Sequence, residues 1–187
     1  MTDLESKNNL AARLLSVTQQ IKQAQSGQHP VAKLLAVSKK HPAEKIQQLF
    51  ELGQRSFGEN YVQEGVEKVQ TLNNQEIDWH FIGPIQSNKS RLVSENFHWV
   101  HTIDSLKIAR RLNEQRPQHM PKLNVLIQVN ISQQDSKSGI KVEDISDLAS
   151  TISGMENLTL RGLMCIPAPL DEQQLKAEFS TMQRQYI

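Results

Sequence analysis

Short apolar runs alternate along this chain with longer stretches in which apolar positions recur every three or four residues. Residues 4–25 show the helical pattern: Leu4, Leu10, Leu14, Leu15, Val17 and Ile21 fall mostly on one face, with Gly27 and Pro30 placed to stop the helix. A strand is expected over residues 31–39 (VAKLLAVSK), where Leu34–Val37 form an apolar run of the kind buried on both faces. Pro42 stands at a helix start, and Ile46, Leu49, Phe50 and Leu52 give residues 43–52 helical spacing that Gly53 ends. The alternation then repeats. It predicts strand 55–60 and helix 61–72, strand 77–83 and helix 88–96, and strand 97–104 followed by helix 105–115 with Asp104 as cap. Strand 123–131 and helix 142–152 come next, then strand 158–166 and helix 171–185.

Strict alternation of this kind predicts a parallel sheet with helices outside it. No GxGxxG follows the first strand and no GxxxxGK[ST] occurs, which removes support for dinucleotide-binding and P-loop forms. A TIM-type (β/α)₈ barrel fits, but it needs eight units and typically ~250 residues. Here six units fill 187 residues. The expectation is therefore one barrel domain over residues 1–187, lacking its C-terminal part.

Charge adds exclusions. Lys and Arg total 21 against 20 Asp and Glu, so no broad field invites nucleic acid or an anionic membrane. Aromatic residues make up 5% of the chain, too few for a base-stacking platform. Cys165 is the single cysteine, so no internal disulfide can form. No run approaches the ~20 apolar residues of a membrane span, and the N-terminus does not read as a signal peptide; the expected compartment is the cytoplasm. The histidines show no HxH or HExxH spacing for a metal.

In a parallel barrel the chemistry sits where strands end. Lys39 follows an apolar strand end and reads two ways: a solvated loop lysine, or a desolvated amine suited to Schiff-base chemistry. Asn60, beside Gly58 in FGEN, is either a ligand contact or a helix cap. His80, in WHFIG, is either a site residue or a satisfied core histidine. Lys137, in DSKSG (135–139), is either a phosphate-approaching group or a surface lysine.

Seven stretches in order, AVSKKHP (36–42), FGENYVQE (57–64), WHFIGPIQSNKSRLV (79–93), HTIDSL (101–106), LNVLIQVNIS (123–132), SKSGI (136–140) and RGLMCIPAP (161–169), resemble the YggS/PROSC family of pyridoxal 5′-phosphate (PLP) homeostasis proteins. The similarity covers nearly the whole chain. It implies a PLP fold type III barrel like the N-terminal domain of alanine racemase. The family's PLP forms an internal aldimine with the lysine of AVSK, which is Lys39 here. Asn60, His80 and Met164 match positions lining the cofactor, and Lys137 a loop lysine beside it.

Family members continue with segments of the type SMGMSxDxxxAI and GSTxVRIGxxIFG, which cradle the PLP phosphate and have no counterpart in residues 170–187. No phosphate-binding residue is therefore carried over. The resemblance implies a non-catalytic, cytoplasmic PLP-binding protein, monomeric as a complete barrel, with PLP-dependent apo-enzymes as partners. The alternatives are a PLP-dependent amino-acid racemase-like enzyme and a Schiff-base aldolase barrel. A racemase of this fold adds a tyrosine from a second domain, whereas this chain holds only Tyr61 and Tyr186.

Overall fold

The computed structural model describes residues 3–25, 32–134 and 137–185. Helix α1 (Asp3–Ala24) leads into β1 (Ala36–Val37), α2 (Ala43–Glu51), β2 (Ser56–Glu59), α3 (Val62–Leu72) and β3 (Asp78–Phe81). Then come α4 (Ser90–Asn96), β4 (Trp99–Ile103), α5 (Leu106–Gln115), β5 (Leu123–Val129), α6 (Ile145–Ser153), β6 (Leu158–Cys165) and α7 (Glu172–Arg184). Gly27, Pro30 and Val31, expected around the end of α1 and the start of the first strand, lie outside the described residues.

All neighbouring strands pair in parallel, in the order β1-β2-β3-β4-β5-β6. Each helix returns the chain to the strand beside the last one, which is the build of successive units in a TIM-type barrel. Four boundaries differ from expectation. β1 is much shorter than 31–39, because the Leu34 carbonyl accepts from Gln54 Nε2 at 2.9 Å instead of from a neighbouring strand. Helix α5 is capped at Ser105, not Asp104, and the Ser105 side chain makes no capping bond. Single 3₁₀ turns, Ser87–Lys89 and Val142–Asp144, tighten the chain before α4 and α6.

Alternation along each strand sets two faces. Phe57, Trp79, Phe81, Val100, Val125, Ile127 and Val129 are buried against helix residues such as Ile46, Val93, Phe97, Leu112 and Ile152. Phe81 meets Phe97 edge-on at 5.2 Å between ring centres. Each fully buried large side chain in this layer contributes on the order of 1.5–3 kcal/mol. The intervening residues Gly58, His80 and Asn124 face the lumen. In β6 the two faces exchange at Gly162, whose φ of +143° accompanies a register shift against Val125 and Leu126. After that bulge Leu163 and Cys165 join the helix side, which leaves Met164 on the lumen side.

Candidate functional site

The C-terminal ends of the strands carry four of the five expected site residues. Lys39 lies in the turn after β1 and is exposed, with no hydrogen bond or ion pair to another described residue. Asn60 directly follows β2 and is half-buried. Tyr61, not Asn60, occupies the cap position of α3, so the capping role open to Asn60 is not the one it plays. Its backbone is fixed by Gly83: a Cβ there would stand 2.1 Å from the Asn60 carbonyl oxygen. Met164 lies near the end of β6. Lys137 lies in the loop after β5, where its N–H donates to the Gln134 carbonyl and its own carbonyl accepts from Asn130 Nδ2 at 3.3 Å. Gly139 lets this loop fold back on the strand end; its φ is +121°, and a Cβ would meet Asn130 N at 2.6 Å. Among the described residues none of the five expected site residues bonds to another of the five.

His80 sits deeper, within β3. Its Nδ1 lies 2.8 Å from His101 Nε2 of β4, so the two rings share one hydrogen. Its other nitrogen approaches Asp78 Oδ2 at 3.3 Å in an ion-pair contact without a directed hydrogen bond. The ring stacks on Trp99 at 5.3 Å. Asp78 also lies 3.5 Å from His98 Nδ1. Burial works to raise the Asp78 carboxyl, but His80 and His98 overcome it and hold the group well below the usual carboxylate range. Burial, aided by the nearby His80, pushes His101 down to about 4 against the opposing pull of Asp78. His101 is neutral at neutral pH.

Behind the end of β1 lies a second cluster. Lys68 of α3 is 6% exposed and Glu59 of β2 is fully buried. The Lys68 ammonium donates to the Ser38 carbonyl at 2.8 Å, to Glu59 Oε1 at 2.8 Å and to Glu64 Oε1 at 2.6 Å. Ser38 Oγ also donates to Glu59 Oε1, at 2.6 Å. Lys40 N–H donates to Glu64 Oε1 at 2.5 Å. Burial tends to raise the Glu64 carboxyl, yet Lys68 and the Lys40 backbone keep it below its ordinary value. Lys40 has φ of 63°, in the left-handed region that costs a non-glycine residue roughly 1–2 kcal/mol.

Sequence reasoning missed Lys68, Glu64 and the pairing of His80 with His101. Glu64 and Lys68 stand four apart, the spacing of an ordinary exposed helix pair. The available signal was that Lys68 shares its helix face with Gly65 and Leu72, among residues expected to pack inward. Among the described residues no group of three or more metal-ligating side chains is placed to hold a metal, and no helix is long and apolar enough to cross a membrane.

The chain matches the family described as alanine racemase, N-terminal domain, over residues 13–187. It is 54% identical over 168 residues to the pyridoxal phosphate homeostasis protein of Pasteurella multocida, a match spanning 89% of this chain and 72% of that protein. Its structure resembles that of PipY, the COG0325 family member of Synechococcus elongatus, solved with PLP bound. The TM-score is 0.81 at 32% identity, covering 95% of this chain and 80% of PipY. An alanine racemase of Clostridium difficile shares the fold alone, with TM-score 0.74 at 18% identity over 95% of this chain and 47% of the racemase.

Proposed function

The chain belongs to the pyridoxal phosphate homeostasis protein family, on the barrel of the alanine racemase N-terminal domain, and from that premise we propose that it binds PLP through Lys39 and holds it without turnover. The observation that carries the reading is the placement of Lys39: an exposed primary amine, unpaired among the described residues, in the turn after β1, at the strand ends that also carry Asn60, Met164 and Lys137. When bound, PLP supplies an aldehyde carbon that condenses with an amine and releases water.

The residues fit such a group. Asn60 offers an amide at the mouth, with its backbone held by Gly83. Met164 offers a soft apolar surface. His80 offers a flat ring in the lumen, stacked on Trp99 at 5.3 Å. Lys137 adds a cation on a loop tied to the end of β5, suited to the anionic side of the ligand.

Holding without turnover is supported by the engagement of the lumen histidines among the described residues: His80 and His101 bond to each other, and the second His80 nitrogen faces Asp78. Tyr61 is the one tyrosine among the described residues, and it lies 45% exposed at the cap of α3 rather than in the lumen. Residues 1–187 are taken as one domain working in the cytoplasm, with PLP-dependent apo-enzymes as recipients and a single copy expected for the complete barrel.

Borohydride reduction of the PLP-loaded protein, followed by peptide mapping, tests the attachment point. The pyridoxyl group is expected on the peptide carrying Lys39. Finding it on Lys40 or Lys137, with Lys39 unmodified, would sink the assignment.

A further inference from the structure

We infer that Lys68 is a positioning residue for Lys39: its buried ammonium holds the peptide bonds on both sides of Lys39 through the Ser38 carbonyl and through Glu64. The inference rests on Lys39 as the attachment point and adds a group that never touches the ligand.

The peptide bond before Lys39 contributes the Ser38 carbonyl, which Lys68 Nζ contacts at 2.8 Å. The peptide bond after Lys39 contributes the Lys40 N–H, which donates to Glu64 Oε1. Glu64 is in turn held by Lys68 at 2.6 Å. One cation therefore fixes the carbonyl on one side of the Lys39 Cα directly, and the N–H on the other side through a single carboxylate. All three ammonium hydrogens are used, the third on Glu59 Oε1. Ser38 is held a second time through its hydroxyl, which also donates to Glu59.

Local preference alone does not account for this turn. β1 contributes two residues to the sheet, and Lys40 adopts a positive φ that side-chain-bearing residues avoid. The segment bearing Lys39 keeps one ladder bond, from Ser38 N–H to the Gly58 carbonyl, and one turn bond, from His41 N–H to the Ser38 carbonyl. It is pinned in addition from α3, across 30 residues of sequence. A buried ion cluster is a poor source of stability, since apolar residues of similar volume serve a core as well. Its value here is geometric: it sets where the Lys39 Cα stands, and hence the reach of its amine toward a ligand anchored by other strands.

Three variants test this. Lys68→Met removes the ammonium at similar length. Glu64→Ala removes the acceptor for Lys40 N–H, and Glu64→Gln keeps an oxygen there. Ser94→Ala serves as the control, because it breaks a buried bond to the Leu112 carbonyl far from this turn. Hydrogen exchange at the Lys40 amide is read in the ligand-free protein, and PLP affinity, release rate and melting temperature are read alongside.

Lys68→Met and Glu64→Ala should speed Lys40 amide exchange and weaken PLP binding roughly tenfold, the effect of one charge-assisted hydrogen bond. Glu64→Gln should recover much of both. Ser94→Ala should lower the melting temperature with PLP affinity unchanged. If Lys68→Met fails to fold, the contrast between Glu64→Ala and Glu64→Gln decides. The inference is overturned if Lys40 exchange is unchanged in the folded variants, or if Ser94→Ala weakens PLP as much as they do. Exchange in the ligand-free protein does not depend on where PLP attaches, so it fails separately from the attachment reading.

Discussion

At the scale of single residues, the lumen histidines give the protein an acid-sensitive point. His101 has an ordinary value of 6.5 and is held at about 4 in the fold. The unfolded chain therefore takes up this proton first as pH falls. Stability is full above pH 6.5 and is lost as pH drops toward 4, by up to about 3 kcal/mol in order of magnitude. Asp78 acts in the same direction at lower pH. Its folded carboxyl lies below the ordinary 3.8, so its contribution is present above that value and is lost on further acidification. Urea unfolding of the wild type and of His101→Gln at pH 7 and pH 4.5 measures the effect. Glutamine keeps a polar partner for His80 but cannot titrate, so the variant should lose at least about 1 kcal/mol less than the wild type between the two pH values. Equal losses would remove His101 as the source.

At the scale of elements, helix and strand order was legible because burial of alternating faces imposes two distinct periods on the sequence. Boundaries were less so. The first strand looked long because Leu34–Val37 are apolar, yet apolar character reports burial and not ladder bonding, and Gln54 takes the Leu34 carbonyl. Asp104 looked like a cap by residue type, but the backbone turns into α5 one position later. Arg116, just past α5, is a case where sequence signals nothing. It is buried and donates to the carbonyls of Ser94, Phe97 and Pro121, tying the end of α4 to the approach of β5. Burial lowers its guanidinium to about 10, which leaves it charged at neutral pH. Arg116→Met fills similar space and strands three carbonyls. Each unpaired buried group costs about 1–3 kcal/mol, so a loss of roughly 3 kcal/mol or more is expected in denaturant unfolding. A loss below about 1 kcal/mol would show that water replaces the guanidinium.

At the scale of the whole molecule, the barrel and the attachment lysine were readable for different reasons. Parallel architecture follows from periodicity, which any reader of the chain can count. Lys39 stands out by its strand-end position, but only the resemblance of AVSK separates it from a loop lysine. The Lys68 cluster was hidden because its partners come from the turn after β1, from β2 and from α3, and nothing in the local pattern of VQEGVEKVQ says that the lysine is enclosed. The His80–His101 pair was hidden for the same reason, since adjacent strands meet only once the sheet order is known.

The same architecture bears on catalysis. Racemisation of an amino acid needs proton-transfer groups on both faces of the bound substrate. On the proposed reading the Lys39 amine after β1 would supply one face. The lumen side beneath it holds His80 and His101, but these spend their facing nitrogens on each other. Tyr61 is turned to solvent at the start of α3. On the proposed reading the described lumen offers no free second base, so the PLP-loaded chain should racemise L- or D-alanine far below the ~10 s⁻¹ median of ordinary enzymes. Polarimetry or a coupled D-alanine assay, run to long times at high protein concentration, provides the measurement. Sustained turnover approaching that median with either enantiomer would overturn the non-catalytic reading. It would also require a group opposite Lys39 that the described lumen does not supply.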